Sequence, residues 1–243
     1  MKILVVNDDG IQSEGLKRLV ERAKKYGEVF VVAPKYNQSA TSHKILVRGG
    51  FSVEKINLFP GVEAYAVDST PADCVRFAHY HLKYDFDLVL SGVNKGYNLG
   101  FDIFYSGTVA GATEAAYTKR RGFALSANYK SLAGFEKYFD EVMELLLSEE
   151  YWNKALVYNV NFPIEPKGIK LAVQGDTCFD TYFEEKEGLY YQLGTGNLAL
   201  DNNENSDAYL ANRGYVTITP LSGDRTNQEV YNLLKGGVKD GKR

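Results

Sequence analysis

Along the first two-thirds of the chain, hydrophobic and polar positions switch repeatedly between strand-like and helix-like spacing. Residues 2–6 are a short β-branched run of the kind buried in parallel sheets, and they stop at the turn formers Asn7-Asp8-Asp9-Gly10. Between 13 and 26, Leu16, Leu19, Val20 and Ala23 mark one helix face; Lys24 and Lys25 suit its negative C-terminal end, and Gly27 supplies a stop. A second strand is predicted at 28–32, closed by Ala33-Pro34, and two more at 51–57 and 62–67 around Pro60-Gly61. Thr70-Pro71-Ala72-Asp73 opens a helix running to about residue 83, with a hydroxyl cap, a proline in the first turn and a carboxylate three residues after the cap. A strand at 86–90, a Gly- and Asn-rich loop at 91–105, a helix at 107–120, a strand at 123–126, a helix at 131–147 and a strand at 155–160 complete the series.

Strands separated by helices, each unit right-handed, predict an α/β fold with a doubly wound, mostly parallel sheet and helices on both faces. Beyond Pro163 the texture changes: strands are predicted at 170–173, 188–193 and 214–219, joined by polar loops such as residues 201–205. We expect a core over residues 1–163 and a β-rich extension over 164–243, packed on it within one domain and containing a long hairpin. No linker or internal repeat divides the chain. The tail at 239–243 is expected to be a frayed end.

Composition narrows the partners. With 243 residues the chain buries enough surface to need no staples. The 28 Lys+Arg against 31 Asp+Glu, net charge -3, disfavour tracking of a phosphate backbone and disfavour a polybasic membrane anchor. Cys74 and Cys178 are the two cysteines, too few for a disulfide framework or a four-thiolate metal site. No apolar run reaches a membrane span and the opening strand does not resemble a signal peptide, so a cytoplasmic location is expected, with neither membrane nor stable nucleic acid as partner.

In an open α/β sheet, ligands bind beyond the carboxyl ends of the strands, where strand order reverses. Three loops there carry polar clusters. Asp8 and Asp9 follow the first strand; carboxylates so close repel unless a cation neutralises them, and with no Cys/His set a hard divalent ion is the economical partner. They also suit a turn residue and a helix cap. After the second strand, residues 37–43 (NQSATSH) offer hydroxyls and amides that suit neutral oxygen ligands, an oxyanion site or a solvated loop; His43 alone makes no triad. Residues 91–100 (SGVNKGYNLG) set glycines at 92, 96 and 100 between Asn94 and Asn98, letting backbone approach a ligand closely. Ser106-Gly107-Thr108 then opens a helix whose free N–H groups favour a phosphate, although Ser106 also serves as a plain N-cap. Together, acidic groups with a cation at one strand end and an anion cradle at another suit phosphoryl transfer to water.

The same segments resemble the SurE family of metal-dependent 5′/3′-nucleotidases: NDDG, Asn37 to Ser39, SGVNKGYNLG, YSGTV, STPADCV at 69–75, NVNFP at 159–163 and GYVTITPL at 214–221. The resemblance implies a Rossmann-like core and one divalent ion per subunit, magnesium or manganese, held by Asp8, Asp9, Ser39 and Asn94. It also implies a phosphate pocket at Asn98, Ser106, Gly107 and Thr108, with Asn37 and Ser39 beside it, and catalysis by Asp8, Asp9 and Asn94. The substrate would be a nucleoside monophosphate, and subunits would exchange the C-terminal extension in dimers or tetramers. Ala40 and Ala115 stand where many members have glycine, the latter after Glu114.

Two rivals come from other classes. A receiver-type signalling domain shares the opening strand and acidic pair, but Asp68 and Lys95 are poorly placed for its acceptor and lysine. A non-catalytic nucleotide-binding protein lacks here the Gly-rich fingerprint after strand one. His79 and His81, two apart on a helix, do not chelate together. Lys119, Arg120 and Arg121 are expected to compensate a helix C-terminus and Cys74 to be a small core residue, while Tyr182, Tyr190 and Tyr191 suit either a subunit interface or a plain cover of the sheet.

Overall fold

In a computed structural model of the chain, residues 1–177, 182–194 and 201–235 are described. Cys178 and the tail at 239–243 lie outside them. In chain order the regular elements are β1 Lys2–Val6, α1 Glu14–Ala23, β2 Glu28–Pro34, β3 Val53–Ile56, β4 Glu63–Val67, α2 Pro71–Arg76, β5 Leu88–Lys95 and α3 Gly107–Tyr117. There follow β6 Arg121–Ala127, α4 Ala133–Leu147, α5 Glu149–Trp152, β7 Val157–Phe162, β8 Ile169–Leu171, β9 Tyr182–Lys186, β10 Leu189–Leu193, α6 Asp207–Asn212, β11 Val216–Leu221 and α7 Gln228–Leu234.

Nine strands form one sheet in the order β3-β4-β2-β1-β5-β6-β7-β11-β8. From β4 to β7 the neighbours pair parallel; β3 is antiparallel to β4, and β11 is antiparallel to β7. Strand order reverses between β1 and β5, which places the switch point just beyond Val6 and Lys95. The mostly parallel doubly wound α/β fold is the one the hydrophobic pattern predicts.

The two sheet faces follow the period of two in β1. Ile3 and Val5 join the cluster of Leu16, Leu19, Phe135 and Phe139 from α1 and α4, whereas Leu4 and Val6 join that of Cys74, Val75 and Ala78 from the α2 side. Cys74 is thus a fully buried apolar filler. Both faces of the central strands are covered, which is why they read as unbroken hydrophobic runs.

Several predicted boundaries move. The helix expected over 70–83 is α only to Arg76 and continues as a π-type turn, Phe77–His81, in which His81 stacks on Phe77 and His79 meets Phe86 edge-on. The loop expected at 91–105 is strand as far as Lys95, with its register against β6 shifting between Ser91 and Asn94. The glycine at 92 explains both the misreading and the bulge, because φ is +141° and a Cβ would stand 2.3 Å from the Leu125 carbonyl oxygen. Past Pro163, β11 and β8 extend the main sheet, and β9 and β10 form the separate antiparallel hairpin. Arg121 opens β6 with Nε donating 2.7 Å to the carbonyl of Trp152, the last residue of α5, so it serves the C-terminal end of that helix and not the end of α3; Arg120 pairs with Asp85.

One buried carboxylate joins the extension to the core. Asp207, at the start of α6, has no exposed surface and accepts from the backbone N–H groups of Gly100, Gly175 and Ala208 at 2.7 to 3.2 Å. Burial outweighs these donors, and with nearby Asp201 it pushes the carboxyl up to about 6. A carboxyl raised in the folded state takes up a proton on folding, so its contribution to stability grows as pH falls from about 6 to about 4. Urea denaturation of Asp207→Asn should therefore lack a rise that the unsubstituted protein shows over that window, on the order of 2–3 kcal/mol. Equal pH slopes in the two proteins would refute the assignment.

Candidate metal and phosphate site

The first acidic turn is fixed from within. Asn7 is fully buried, and its Nδ2 donates to the Gly10 carbonyl at 3.0 Å and to Ser13 Oγ at 2.8 Å, pinning the end of β1 to the cap of α1. The turn closes through Gly10 at φ +97°, where a Cβ would press on the Tyr36 backbone. Neither aspartate caps α1; Ser13 does, accepting from the Leu16 N–H. That removes the capping alternative for the acidic pair.

Asp8 is the hub. It is 4% exposed, and its Oδ1 accepts from the Thr108 hydroxyl at 2.5 Å. Its carbonyl accepts from the Gln38 N–H at 2.7 Å, tying the loop after β2 to the same point. Gly107 packs so closely that a Cβ there would lie 2.9 Å from Asp8 Cβ and 3.2 Å from the Gln38 carbonyl oxygen. Asp9 reaches across the switch point: its Oδ2 accepts from the Lys95 N–H at 3.2 Å, beside Asn94 at the end of β5. Asn94 Nδ2 donates to the Gly96 carbonyl at 2.9 Å, which leaves its amide oxygen for a ligand.

Asn37 and Ser39 lie on the exposed face of the second loop, where Asn37 Oδ1 accepts from the Ser39 N–H at 2.9 Å in a local turn. Ser106 caps α3, accepting from the Val109 N–H at 3.0 Å, and so leaves the N–H groups of Gly107 and Thr108 directed out of the helix. Its capping role and an anion-facing role are compatible, since the hydroxyl proton is still available.

Asn98 belongs to a different set of contacts. Its N–H donates to Asn161 Oδ1 at 2.8 Å, its carbonyl accepts from Asn159 and Asn161, and its Nδ2 donates to Ser126 Oγ at 2.8 Å. These four residues are buried under the strand ends of β6 and β7 and lock the asparagine-rich loop in place. Asn159, Asn161 and Ser126 are functional supports that strand patterning hides, because polar residues inside a buried run read as noise. The one available signal is the pair of asparagines in NVNFP, two apart and thus on one face. A second support also lies outside the predicted set: buried Glu114 pairs with His43 at 2.7 Å and with Arg76 at 3.0 Å, holding the loop that carries Ser39 against α3.

The electrostatics call for a cation. Burial pushes the Asp8 carboxyl up to about 6, with the charge of Asp9 adding to the rise and the Thr108 hydroxyl opposing it. Burial also raises Asp9, against the Lys95 N–H and its charge. Among the described residues no group of three or more His, Cys, Asp or Glu could hold a metal. A cation here would therefore rest on two carboxylates and neutral oxygens, an all-oxygen set suited to magnesium or manganese.

A family model described as Survival protein SurE matches residues 3–181. The chain belongs to the SurE family. A protein named 5′-nucleotidase SurE from Clostridium botulinum (strain ATCC 19397 / Type A) is 40% identical, with 97% of each chain covered. One of the same name from Petrotoga mobilis is 38% identical over 98% of this chain and 100% of its own. The crystal structure of the SurE protein from Aquifex aeolicus superposes with a TM-score of 0.82 at 33% identity, covering 97% of this chain and 99% of that one. The resemblance carried by NDDG, SGVNKGYNLG and YSGTV thus extends over nearly the whole SurE chain, and neither the receiver domain nor the non-catalytic binder finds support.

The Thr108–Asp8 bond can be isolated. Thr108→Val keeps the side-chain shape but leaves a buried carboxylate oxygen unpaired, so urea denaturation at neutral pH should show a loss of about 1–3 kcal/mol. Thr108→Ser should recover most of it. A Val variant as stable as the original would show that the hydroxyl does not hold Asp8.

Proposed function

We propose that this chain hydrolyses nucleoside 5′- and 3′-monophosphates to nucleoside and phosphate by direct attack of water, with one magnesium or manganese ion bound per subunit. The observation that carries it is the meeting of the acidic turn and the α3 N-terminus, through the 2.5 Å bond from Thr108 to Asp8. Asp8, Asp9, Ser39 and Asn94 would hold the ion. When bound, it supplies positive charge against the phosphoryl oxygens and acidifies water at the site.

The protein's own groups then have distinct tasks. Asp8 is held rigid by Thr108, whereas Asp9 has Oδ1 free of any hydrogen bond among the described residues and is the better placed to take a proton from water. The outward N–H groups of Gly107 and Thr108 and the hydroxyl of Ser106 face the equatorial oxygens, where negative charge is held during transfer. The side chains of Asn37, Ser39 and Asn98 orient the phosphoryl group, and the amide oxygen of Asn94 acts through the ion it would help to hold. No step needs a phosphoenzyme.

Residues 1–163 form the catalytic core in this proposal, and 164–243 serve assembly into dimers or tetramers. Support comes from apolar exposure: Phe183, Leu189 and Tyr190 on the hairpin are 62–70% exposed, and Leu233 and Leu234 on α7 are 64–76% exposed. Tyr182 and Tyr191 share the hairpin. Among the described residues no helix is long and apolar enough to cross a membrane, and the cytoplasm is the proposed location.

Phosphate release from AMP should require added magnesium or manganese and stop with chelator. Asp8→Asn should reduce it at least 1000-fold with the far-ultraviolet spectrum unchanged. Metal-dependent turnover that survived Asp8→Asn would overturn the site assignment. Sedimentation should find Phe183→Ser/Leu189→Ser in smaller species than the original chain, and an unchanged assembly would remove the hairpin from the interface.

A further inference from the structure

The start of α3 has two different sides. Gly107 faces the acidic turn, since a Cβ there would meet Asp8, whereas Ser106 stands in the wall of a cavity of about 590 Å³ that His43 also lines. Among the described residues that wall does not include Asp8, Asp9 or Asn94. In phosphoryl transfer the attacking and leaving oxygens lie roughly in line through phosphorus. Water held at the acidic turn therefore attacks from the Gly107 side, and the bond that breaks points toward the cavity.

His43 is fixed at that wall from three directions. Its Nε2 lies 2.7 Å from Oε2 of Glu114, whose other oxygen accepts from Arg76 at 3.0 Å, so the carboxylate takes the Nε2 proton as a donor bond. The Tyr117 ring lies along the imidazole, with centroids 5.4 Å apart and planes 18° from parallel. The Ser42 N–H donates to the Tyr105 carbonyl at 2.9 Å, and His43 and Ser106 each follow one member of that bonded pair. Ser42 sits at φ +53°, a conformation uncommon for serine and kept by its surroundings. With Nε2 committed to Glu114, Nδ1 has no hydrogen bond among the described residues. A buried carboxylate behind one ring nitrogen and an open cavity before the other is the arrangement of an oriented proton donor, and imidazole is the side chain that gives up and regains a proton near neutral pH.

We propose that His43 is the general acid for the leaving nucleoside oxygen, with Glu114 as its positioning residue. The inference rests on the nucleotidase reading and adds the group that completes it on the leaving side. As a water oxygen bonds to phosphorus and a water proton passes to Asp9, the ester bond between phosphorus and the nucleoside oxygen breaks. Its electron pair stays on that oxygen, which takes the Nδ1 proton of His43 and departs as a hydroxyl. His43 is left neutral and still bonded to Glu114; one proton returned from Asp9 through solvent restores both groups. A nucleoside alkoxide leaves poorly without this proton, whereas a nitrophenolate leaves without one.

Steady-state kinetics with AMP and with 4-nitrophenyl phosphate, magnesium added, separate this role from that of a loop clamp. His43→Gln keeps an amide able to bond Glu114 and loses the acid, so the ratio of kcat/KM for 4-nitrophenyl phosphate to that for AMP should rise about 100-fold or more. An unchanged ratio, with both substrates falling together or neither falling, overturns the inference. A second measurement needs no substitution: across alkyl and aryl phosphates, kcat/KM of the original chain should depend only shallowly on the acidity of the leaving alcohol, and a steep dependence equally overturns it. Failure of the nucleotidase reading looks different, because the original chain would then release phosphate from neither substrate, and the role of His43 would fall with it.

Discussion

The arrangement depends on holding a carboxylate in a place that disfavours its charge. Asp8 is buried beside a second carboxylate, and both burial and repulsion push it toward protonation. What opposes this is short and local: the Thr108 hydroxyl first, then backbone hydrogen bonds from Asp8 and Thr108. The Thr108 bond spans one hundred residues of sequence, so the site is assembled only when β1 and α3 have both docked on the sheet. Gly107 sets how near they come, because any side chain there would meet Asp8 before the hydroxyl could reach it.

Around that contact the fold supplies rigidity from both sides of the switch point. Asn7 ties the acidic turn to α1. The amide cluster of Asn98, Asn159, Asn161 and Ser126 ties the following loop to β6 and β7. Glu114 ties the loop after β2 to α2 and α3 at once. Each uses buried polar groups that bond one another across elements, although Asn7 Oδ1 and Asn159 Oδ1 stay without a partner among the described residues; losing one of the bonds made would leave a further buried group unpaired, which is costly. The site is thus preorganised by hydrogen bonds between elements, while the apolar clusters do the general work of packing.

Local chemistry explains what was legible in the sequence. β1 and β2 could be seen because both of their faces are covered and their inner residues are therefore apolar, and β7 was legible despite its two buried asparagines because Val157, Tyr158, Val160 and Phe162 surround them. The start of α2 was visible because Thr70 and Asp73 satisfy a cap that depends on four adjacent residues. The acidic pair and the Ser106-Gly107-Thr108 opening were visible as residue types at strand ends that the fold class brings together, but the Thr108–Asp8 bond itself was not, since a contact across one hundred residues leaves no local trace. The continuation of β5 to Lys95 was hidden by Gly92, Asn94 and Gly96, which satisfy the composition of a loop while following a bulged strand. Glu114 and Arg76 each look like an ordinary surface charge on a helix; only the fold shows that one carboxylate bonds both Arg76 and His43, from separate elements.

The same distinction bears on the β-rich second part of the chain. β11 enters the central sheet beside β7 and antiparallel to it, so its alternating Val216, Thr217, Ile218 and Thr219 are all buried, polar residues included. In contrast, β9 and β10 pair only with each other and expose Phe183, Leu189 and Tyr190. A two-stranded hairpin has no face of its own to bury and is marginal in water when isolated. Apolar residues on such a ribbon make physical sense when something outside the described fold covers them. The assembly proposed above would supply that cover without altering the switch point where the proposed chemistry sits.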